Sequence, residues 1–379
     1  MLDEAVLDDA ELLARRDGSR LLWSLATAGA QVRRAVELRD EFGVDRLAGD
    51  APRALLVASD APPSTAVRLI TRLSCEATPA LAWHGVELPR WAGPADALLI
   101  GSVDGRHPRL AQLADQGARR GMSMAVVAPA GSYVAAAAGR APVHELPPDL
   151  NPHASRWAVL TPLLQALDAL GLQSIPPALL HQIADALDET AEACRPSEES
   201  FVNAAKSLAI EFADTRPVIA GAGPLASVAA RAMADALQLG AGVSAVSVSL
   251  PDGAGRAGAL LRGAGPAPVD LFRDRIEDDS PRRARLLVIG DDGTPDDPAL
   301  GERSLSQVQL DEIGARRAAA ALHQLAAEFG VRSSSVDVPE GPALARFAAA
   351  AAFGEFTAAY LAFALGLDPG QPRPAELAH

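Results

Sequence analysis

The sequence predicts an α/β protein made of two parallel-sheet sandwiches in tandem. Three observations carry this: short unbroken apolar runs, helical segments alternating with them, and a restart of that alternation after residue 200. A strand half exposed to water alternates apolar and polar residues, whereas a strand covered on both faces reads as continuous apolar sequence.

The elements follow in order. In residues 1–50, Leu12, Leu13, Leu21, Leu22, Val32, Ala35 and Leu38 recur at helical spacing, predicting a helical lead-in and a second helix. Ala54-Leu55-Leu56-Val57-Ala58 predicts a first strand, followed by the loop Ser59-Asp60-Ala61-Pro62-Pro63-Ser64-Thr65 and a helix to Leu73. Ala97-Leu98-Leu99-Ile100 is a second strand, with the loop Gly101-Ser102-Val103-Asp104-Gly105-Arg106-His107, a helix over 108–120 and a strand at Met124-Ala125-Val126-Val127-Ala128. Residues 157–170 and 177–193 are helical, broken by Pro176-Pro177. The pattern then restarts with a helix at 203–212, the strand Pro217-Val218-Ile219-Ala220, the turn Gly221-Ala222-Gly223-Pro224 and a helix over 225–237. Strands at 244–249, 285–290 and 332–338 and helices at 310–329 and 342–367 complete the reading. The chain divides into a helical lead-in (1–50), a first α/β domain (51–155), linking helices (156–200) and a second α/β domain (201–379). Open parallel sheets bind ligands beyond the carboxyl ends of their strands, which singles out the loops at 59–65, 101–107 and 221–224.

Composition narrows the function. The chain has 379 residues, 49% apolar, enough for a sizeable core. Its net charge of -14, with no basic stripe, argues against nucleic acid as a partner, since an acidic surface releases no counterions from phosphate. Cys75 and Cys194 are far apart, in no ligand spacing, and read as core thiols. Met1-Leu2-Asp3-Glu4 is acidic and leads into helix-like sequence, so no signal peptide is expected. The stretch 347–367 is the most apolar, but Glu355 interrupts it; it reads as a buried core helix, and the protein as cytoplasmic without a membrane partner. Lys206 is the single lysine, and the inward turn of Ala205, Leu208 and Ala209 predicts that it lies on an exposed helix face.

Generic motifs are missing. There is no Gly-Lys pair for a nucleotide-binding P-loop, no His-Glu-x-x-His, no Cys-x-x-Cys and no Gly-x-Ser-x-Gly. Gly221-Ala222-Gly223 begins a dinucleotide fingerprint, but Ala226 stands where the third glycine belongs. The acidic loop at 291–297 lacks the closing glutamate of a calcium loop and reads as solvated surface. No cofactor and no metal are expected.

Three stretches point to a family. Asn203-Ala204-Ala205-Lys206-Ser207-Leu208-Ala209 with Arg216-Pro217-Val218-Ile219-Ala220-Gly221 is one, and Ser155-Arg156-Trp157-Ala158 ahead of a long helix is another. The third is Phe353-Gly354-Glu355-Phe356-Thr357-Ala358-Ala359-Tyr360-Leu361-Ala362, continuing into Gly366-Leu367-Asp368-Pro369. Together they resemble the bifunctional phosphoglucose/phosphomannose isomerase branch of the sugar isomerase (SIS) proteins. The resemblance implies two SIS-type parallel-sheet α/β sandwich domains, association in pairs, and aldose–ketose isomerisation. In that chemistry a glutamate moves a proton between C1 and C2, a histidine opens the ring, and a hydroxyl-rich loop grips the phosphate.

The chain departs from the pattern the resemblance implies. The first loop carries Asp60 and two prolines where a glycine-rich serine turn is expected, and the second carries Asp104 and His107 in place of hydroxyls. After Arg231 the family's glutamate is expected, but Leu237-Gln238-Leu239-Gly240 supplies no carboxylate; Ser249-Leu250-Pro251-Asp252-Gly253 lacks the histidine, and Ala375-Glu376-Leu377-Ala378-His379 the lysine.

No catalytic residue is therefore assigned. The substrate-binding candidates are Arg156, Ser59, Arg106 and His107. Arg156 either contacts an anionic ligand or pairs with an acid at a helix start; Ser59 either contacts a ligand or caps the next turn; Arg106 and His107 either bind an anion or are plain loop residues. Glu355 reads as a carboxylate in a structural hydrogen bond or an interface. Three readings remain: a non-catalytic SIS protein that binds a sugar phosphate or nucleotide sugar, a working isomerase of fructose 6-phosphate with glucose or mannose 6-phosphate, and a scaffold whose cleft binds nothing. A homodimer is expected, with the alanine run at 348–352 as a close-packed contact between copies.

Overall fold

The structure, a computed structural model, describes residues 2–49, 51–60, 65–74, 78–263, 283–290, 305–336 and 338–370, with 305–312 described in backbone only. Cys75, Ala61-Pro62-Pro63-Ser64, the acidic loop at 291–297 and residues 375–379 lie outside the described residues.

The lead-in is five short helices rather than two: α1 (Ala5–Asp8), α2 (Ala10–Arg16), α3 (Leu21–Ala26), α4 (Ala28–Glu37) and α5 (Arg39–Phe42). Carboxylates explain two of the breaks. Asp9 caps α2 by accepting from the Leu12 N–H at 2.9 Å. Asp17 accepts from the N–H groups of Leu21 at 2.6 Å and Leu22 at 3.0 Å, fixing the start of α3.

The first sheet comprises β1 (Leu55–Ser59), then α6 (Thr65–Leu73), β2 (Ala80–Ala82), β3 (Ala97–Gly101), α7 (Pro108–Arg119), β4 (Ser123–Pro129), α8 (Tyr133–Ala137) and β5 (Val143–Leu146). Its order is β2-β1-β3-β4-β5, and every described pairing is parallel, with Leu55 opposite both Ala80 and Ala97. The helices α9 (Arg156–Ala169) and α10 (Pro177–Ala193) follow. The second half runs α11 (Ala204–Ala213), β6 (Arg216–Ala222), α12 (Pro224–Ala241), β7 (Val246–Leu250), α13 (Ala254–Arg262), β8 (Ala284–Gly290), α14 (Leu305–Glu328), β9 (Arg332–Val336) and α15 (Ala343–Ala364). Its sheet has the order β7-β6-β8-β9, again parallel.

Strand periodicity divides the core. Leu55 and Val57 of β1, Ala97 and Leu99 of β3, and Ala125 and Val127 of β4 face one cluster, while Leu56, Ala58, Leu98, Ile100, Met124 and Val126 face another. In the second sheet, Ile219, Leu287 and Ile289 join that same first cluster, and Val218, Ala220, Leu286 and Val288 face outward to a third. The first cluster is thus shared, running through α9, α10, α12 and α15. Direct helix contacts cross between the halves: α6 on α12, and α10 on both α4 and α15.

The alanine run at 348–352 needs correction. Each of these alanines is at most 4% exposed, within an α15 that packs on α12, α10 and α11 of its own chain. They close-pack inside one protomer, because small side chains let helix backbones approach. By length and composition α15 is apolar enough to cross a membrane, but 89% of its apolar window is buried inside the protein.

Lys206 is also corrected. It is fully buried, and its Nζ donates to the carbonyls of Leu7 (2.5 Å), Pro196 (2.8 Å) and Glu198 (2.6 Å). The ring of Tyr360 lies 5.4 Å away. Three carbonyls that leave helix and turn ends without partners recruit the three donors of one ammonium. Burial lowers its pKa from the ordinary value, against the opposing pull of Asp8 and Glu198.

The Gly-Ala-Gly turn after β6 has a packing role. A Cβ at Gly221 would come within 2.4 Å of the Ala226 carbonyl and the Ser227 backbone, and Gly223 has φ +112°.

Candidate functional site

The cleft between the halves is built from one helix face at a time. On α12, Ala232, Asp235, Ala236 and Leu239 recur three and four apart, so one stripe faces the cleft. On α15 the stripe is Glu355, Ala358 and Ala359, and on α9 it is Arg156 and Val159. The first half contributes Ser59 and Asp60 at the carboxyl end of β1, Thr65 and Ala66 at the start of α6, and Val103 after β3. Alanines on these helix surfaces leave room, and the result is a cavity of about 360 Å³.

Its charged groups are arranged in pairs. Arg156 Nη2 lies 3.1 Å from Glu355 Oε1, with the two side chains 16% and 12% exposed. Burial raises the Glu355 pKa, and the Arg156 charge pulls it back down. The second nitrogen of Arg156, Nη1, is buried without a hydrogen-bond partner. Asp235 takes Arg68 of α6 at 2.9 Å and Arg231 of its own helix at 2.9 Å, tying the two halves together. Burial lowers the Arg68 pKa; Asp235 counters it, while Arg231 and Arg156 add like-charge repulsion. Three guanidiniums therefore share this corner with two carboxylates.

Asp60 sits elsewhere on the wall. Its Oδ2 accepts from the Ser102 hydroxyl and from the Val103 N–H, both at 2.7 Å. A carboxylate thus holds the hydroxyl and the N–H that the second loop would otherwise offer to an anion. Arg109 donates to the Ser59 carbonyl at 2.6 Å, and burial lowers its pKa against the pull of Asp60.

Of the four predicted binding residues, the fold brings Arg156 and Ser59 to the cavity. Arg106 is exposed and His107 sits at the start of α7; neither lines it, and nor does the turn at 221–224. Gln238 donates to the Ala245 carbonyl at 2.6 Å and is also outside the lining. Residues 237–240 supply no carboxylate, but Asp235, one helical turn after Arg231, stands on the cavity wall, and the sequence reading missed it. Its i,i+4 relation to Arg231 was the available signal. Among the described residues no cluster of His, Cys, Asp and Glu is arranged to hold a metal. Cys194 is buried and free, with its thiol pushed up to about 12 by burial.

Comparison with known proteins agrees with this architecture. Residues 201–376 match the family model described as the bacterial phospho-glucose isomerase C-terminal SIS domain. No curated protein matches the chain in sequence. Among solved structures, a hypothetical protein from Thermus thermophilus is similar at TM-score 0.66 and 16% identity, over 99% of this chain and 93% of that one. Tagatose-6-phosphate ketose/aldose isomerase from Escherichia coli is similar at TM-score 0.62 and 13% identity, over 93% and 95%. The C-terminal domain of glucosamine-fructose-6-phosphate aminotransferase from Francisella tularensis is similar at TM-score 0.59 and 8% identity, over 93% and 97%. Identities this low carry the fold alone. With two parallel sheets of the SIS type and a matching C-terminal half, the chain resembles phosphoglucose isomerase-like SIS proteins.

Proposed function

We propose that this protein binds a carbohydrate derivative of the sugar-phosphate class in the cleft and does not isomerise it. The observation that carries the reading is Arg156: a mostly buried guanidinium on the wall of a cavity of about 360 Å³, with one ion pair and Nη1 unpartnered. Ser59, Thr65 and Ser155 on the same wall add hydroxyls for a sugar. Against turnover stand the amide of Gln238, which cannot act as base at neutral pH and is committed to Ala245, and the commitment of Ser102 to Asp60.

One observation favours the second reading, a working aldose–ketose isomerase. Glu355 is a carboxylate on the cavity wall whose pKa burial raises, as suits proton abstraction next to a carbonyl. A coupled assay on purified protein, converting fructose 6-phosphate to glucose or mannose 6-phosphate, separates the two. The first reading expects no turnover. Turnover near the enzyme median of about 10 per second, lost in Glu355→Gln, would establish the second. A thermal-shift screen against sugar phosphates and nucleotide sugars tests binding, since a ligand that prefers the native state raises Tm.

The proposal extends to organisation. The chain divides at residues 50, 155 and 200 into lead-in, first domain, linking helices and second domain. It acts in the cytoplasm, away from membrane and nucleic acid, as a homodimer that uses surfaces other than residues 348–352. Light scattering with only a 39.2 kDa species would remove the dimer.

A further inference from the structure

We propose a second ligand site, for a small phosphate-class oxyanion, at the amino ends of β8 and β9. A recess of about 220 Å³ opens there, lined by Glu211, Thr215, Arg283, Arg285 and Arg332 and sharing no residue with the cleft. Three guanidiniums meet a single carboxylate. That local excess of positive charge stands out in a chain of net charge -14.

The hydrogen bonds show which groups are committed. Both Glu211 oxygens are engaged: Oε2 takes Arg285 Nε at 2.7 Å and Oε1 takes Arg332 Nη2 at 2.8 Å. Arg285 is 4% exposed and spends three further donors on the carbonyls of Leu286 and Arg332 and on Ser334 Oγ at 2.7 Å. It is a fixed buried charge of which one shared carboxylate neutralises part. Arg332 is 73% exposed, and Arg283 is exposed beside it, so these two keep donors available at the mouth. Thr215 spends its hydroxyl proton on the Glu211 carbonyl at 2.8 Å, which leaves the oxygen as an acceptor for a protonated oxyanion.

Exposed guanidinium forks beside a buried one suit an anion with several oxygens, because each fork can donate two parallel charge-assisted hydrogen bonds. Size narrows the class further. Pockets for drug-sized ligands span roughly 300–1,000 Å³, so this recess fits inorganic phosphate or pyrophosphate rather than a whole nucleotide.

Titration calorimetry and thermal shift with phosphate and pyrophosphate, at fixed ionic strength, test the site on the full chain. Saturable binding is expected, with a raised Tm. Affinity should fall at least tenfold in Arg283→Ala/Arg332→Ala, whose exposed side chains leave the core untouched, with circular dichroism to check the fold. The same titrations on the Arg156→Met/Glu355→Leu background, which removes the anion-binding group of the cleft, should keep a saturable phosphate site and lose it when Arg283→Ala/Arg332→Ala is added. The proposal is overturned if, on the cleft-variant background, binding is absent or survives Arg283→Ala/Arg332→Ala, or if chloride at matched ionic strength has an equal effect.

Discussion

Arg156 Nη2 and Glu355 Oε1 face each other at 3.1 Å, one from the first turn of α9 and the other from the middle of α15. The pair joins the linking helices to the closing helix of the second half on the wall of the cleft. Both charges are largely out of water, so their attraction offsets a desolvation cost rather than adding a free gain.

Removing one partner should be worse than removing both. Arg156→Met strands a buried carboxylate and should cost about 3–5 kcal/mol, read from urea unfolding. Arg156→Met/Glu355→Leu should recover most of that loss. Equal losses in the single and double variants would refute the coupling. The pH dependence has a definite sign. Glu355 has a folded pKa above its ordinary 4.5, so the native state holds the proton longer than the unfolded chain. Its contribution is fully present below 4.5 and is lost as pH rises through the folded value. Glu355→Gln should lack this decline.

Lys206 gives a chemical test. An amine-reactive acylating reagent should leave it unmodified in the native protein and label it in denaturant, because its Nζ is enclosed by three carbonyls. Lys206→Met strands acceptors that each cost about 1–3 kcal/mol when buried without a donor, so a loss of about 3 kcal/mol or more is expected. Native labelling at the rate of an exposed amine would contradict the burial.

Lys206 also shows where the sequence stops being legible. Apolar runs such as Leu55-Leu56-Val57 and Val218-Ile219-Ala220 announce buried parallel strands, since both faces need cover. β2 and β5 carry no such signal. The first is three partly exposed residues, and Val-His-Glu-Leu at a sheet edge has one face near water. Helical periodicity turned Ala205, Leu208 and Ala209 inward correctly, but it cannot register carbonyls arriving from residues 7, 196 and 198. The cleft divides the same way. Ser59 and Arg156 were accessible because they stand at a strand end and a helix start, places where parallel sheets put ligands. Asp235 and the arginine recess depend on elements distant in sequence, joined only when α6 meets α12 and α11 meets β8 and β9.

Gly354 tests the close contact of α12 and α15. A Cβ there would lie 2.8 Å from Met233 Cβ and 2.9 Å from its Cγ, with the Met233 Cα at 3.2 Å. Forcing a methyl into packed helices costs about 1–3 kcal/mol, which outweighs the gain of up to about 1 kcal/mol from helix propensity. Gly354→Ala should therefore lower stability, read from the urea midpoint. A stabilised Gly354→Ala would mean that the helices have room to part.

His144 supplies the last prediction, with the opposite pH sign to Glu355. It lies on β5, 5% exposed, with its ring edge-on to Phe42 at 5.4 Å between centroids. Burial lowers its pKa from 6.5 to about 4, and the nearby charge of Arg34 adds to the shift. Between those values the unfolded chain binds a proton that the native protein excludes, so stability rises with pH across the window. The contribution is present above 6.5 and lost as pH falls through about 4. At about 1.4 kcal/mol per pKa unit, its size is about 3 kcal/mol. His144→Leu removes the titrating ring while keeping an apolar group of similar reach. The variant should be near the parent at pH 7.5 and gain on it steadily toward pH 4.5, measured by urea midpoints at several pH values. Taking the difference between the two proteins cancels Glu355 and the other carboxylates, which titrate in both. Proton NMR gives an independent reading of the same group: an imidazole resonance of His144 that titrates near 6.5 in the folded protein would overturn the claim.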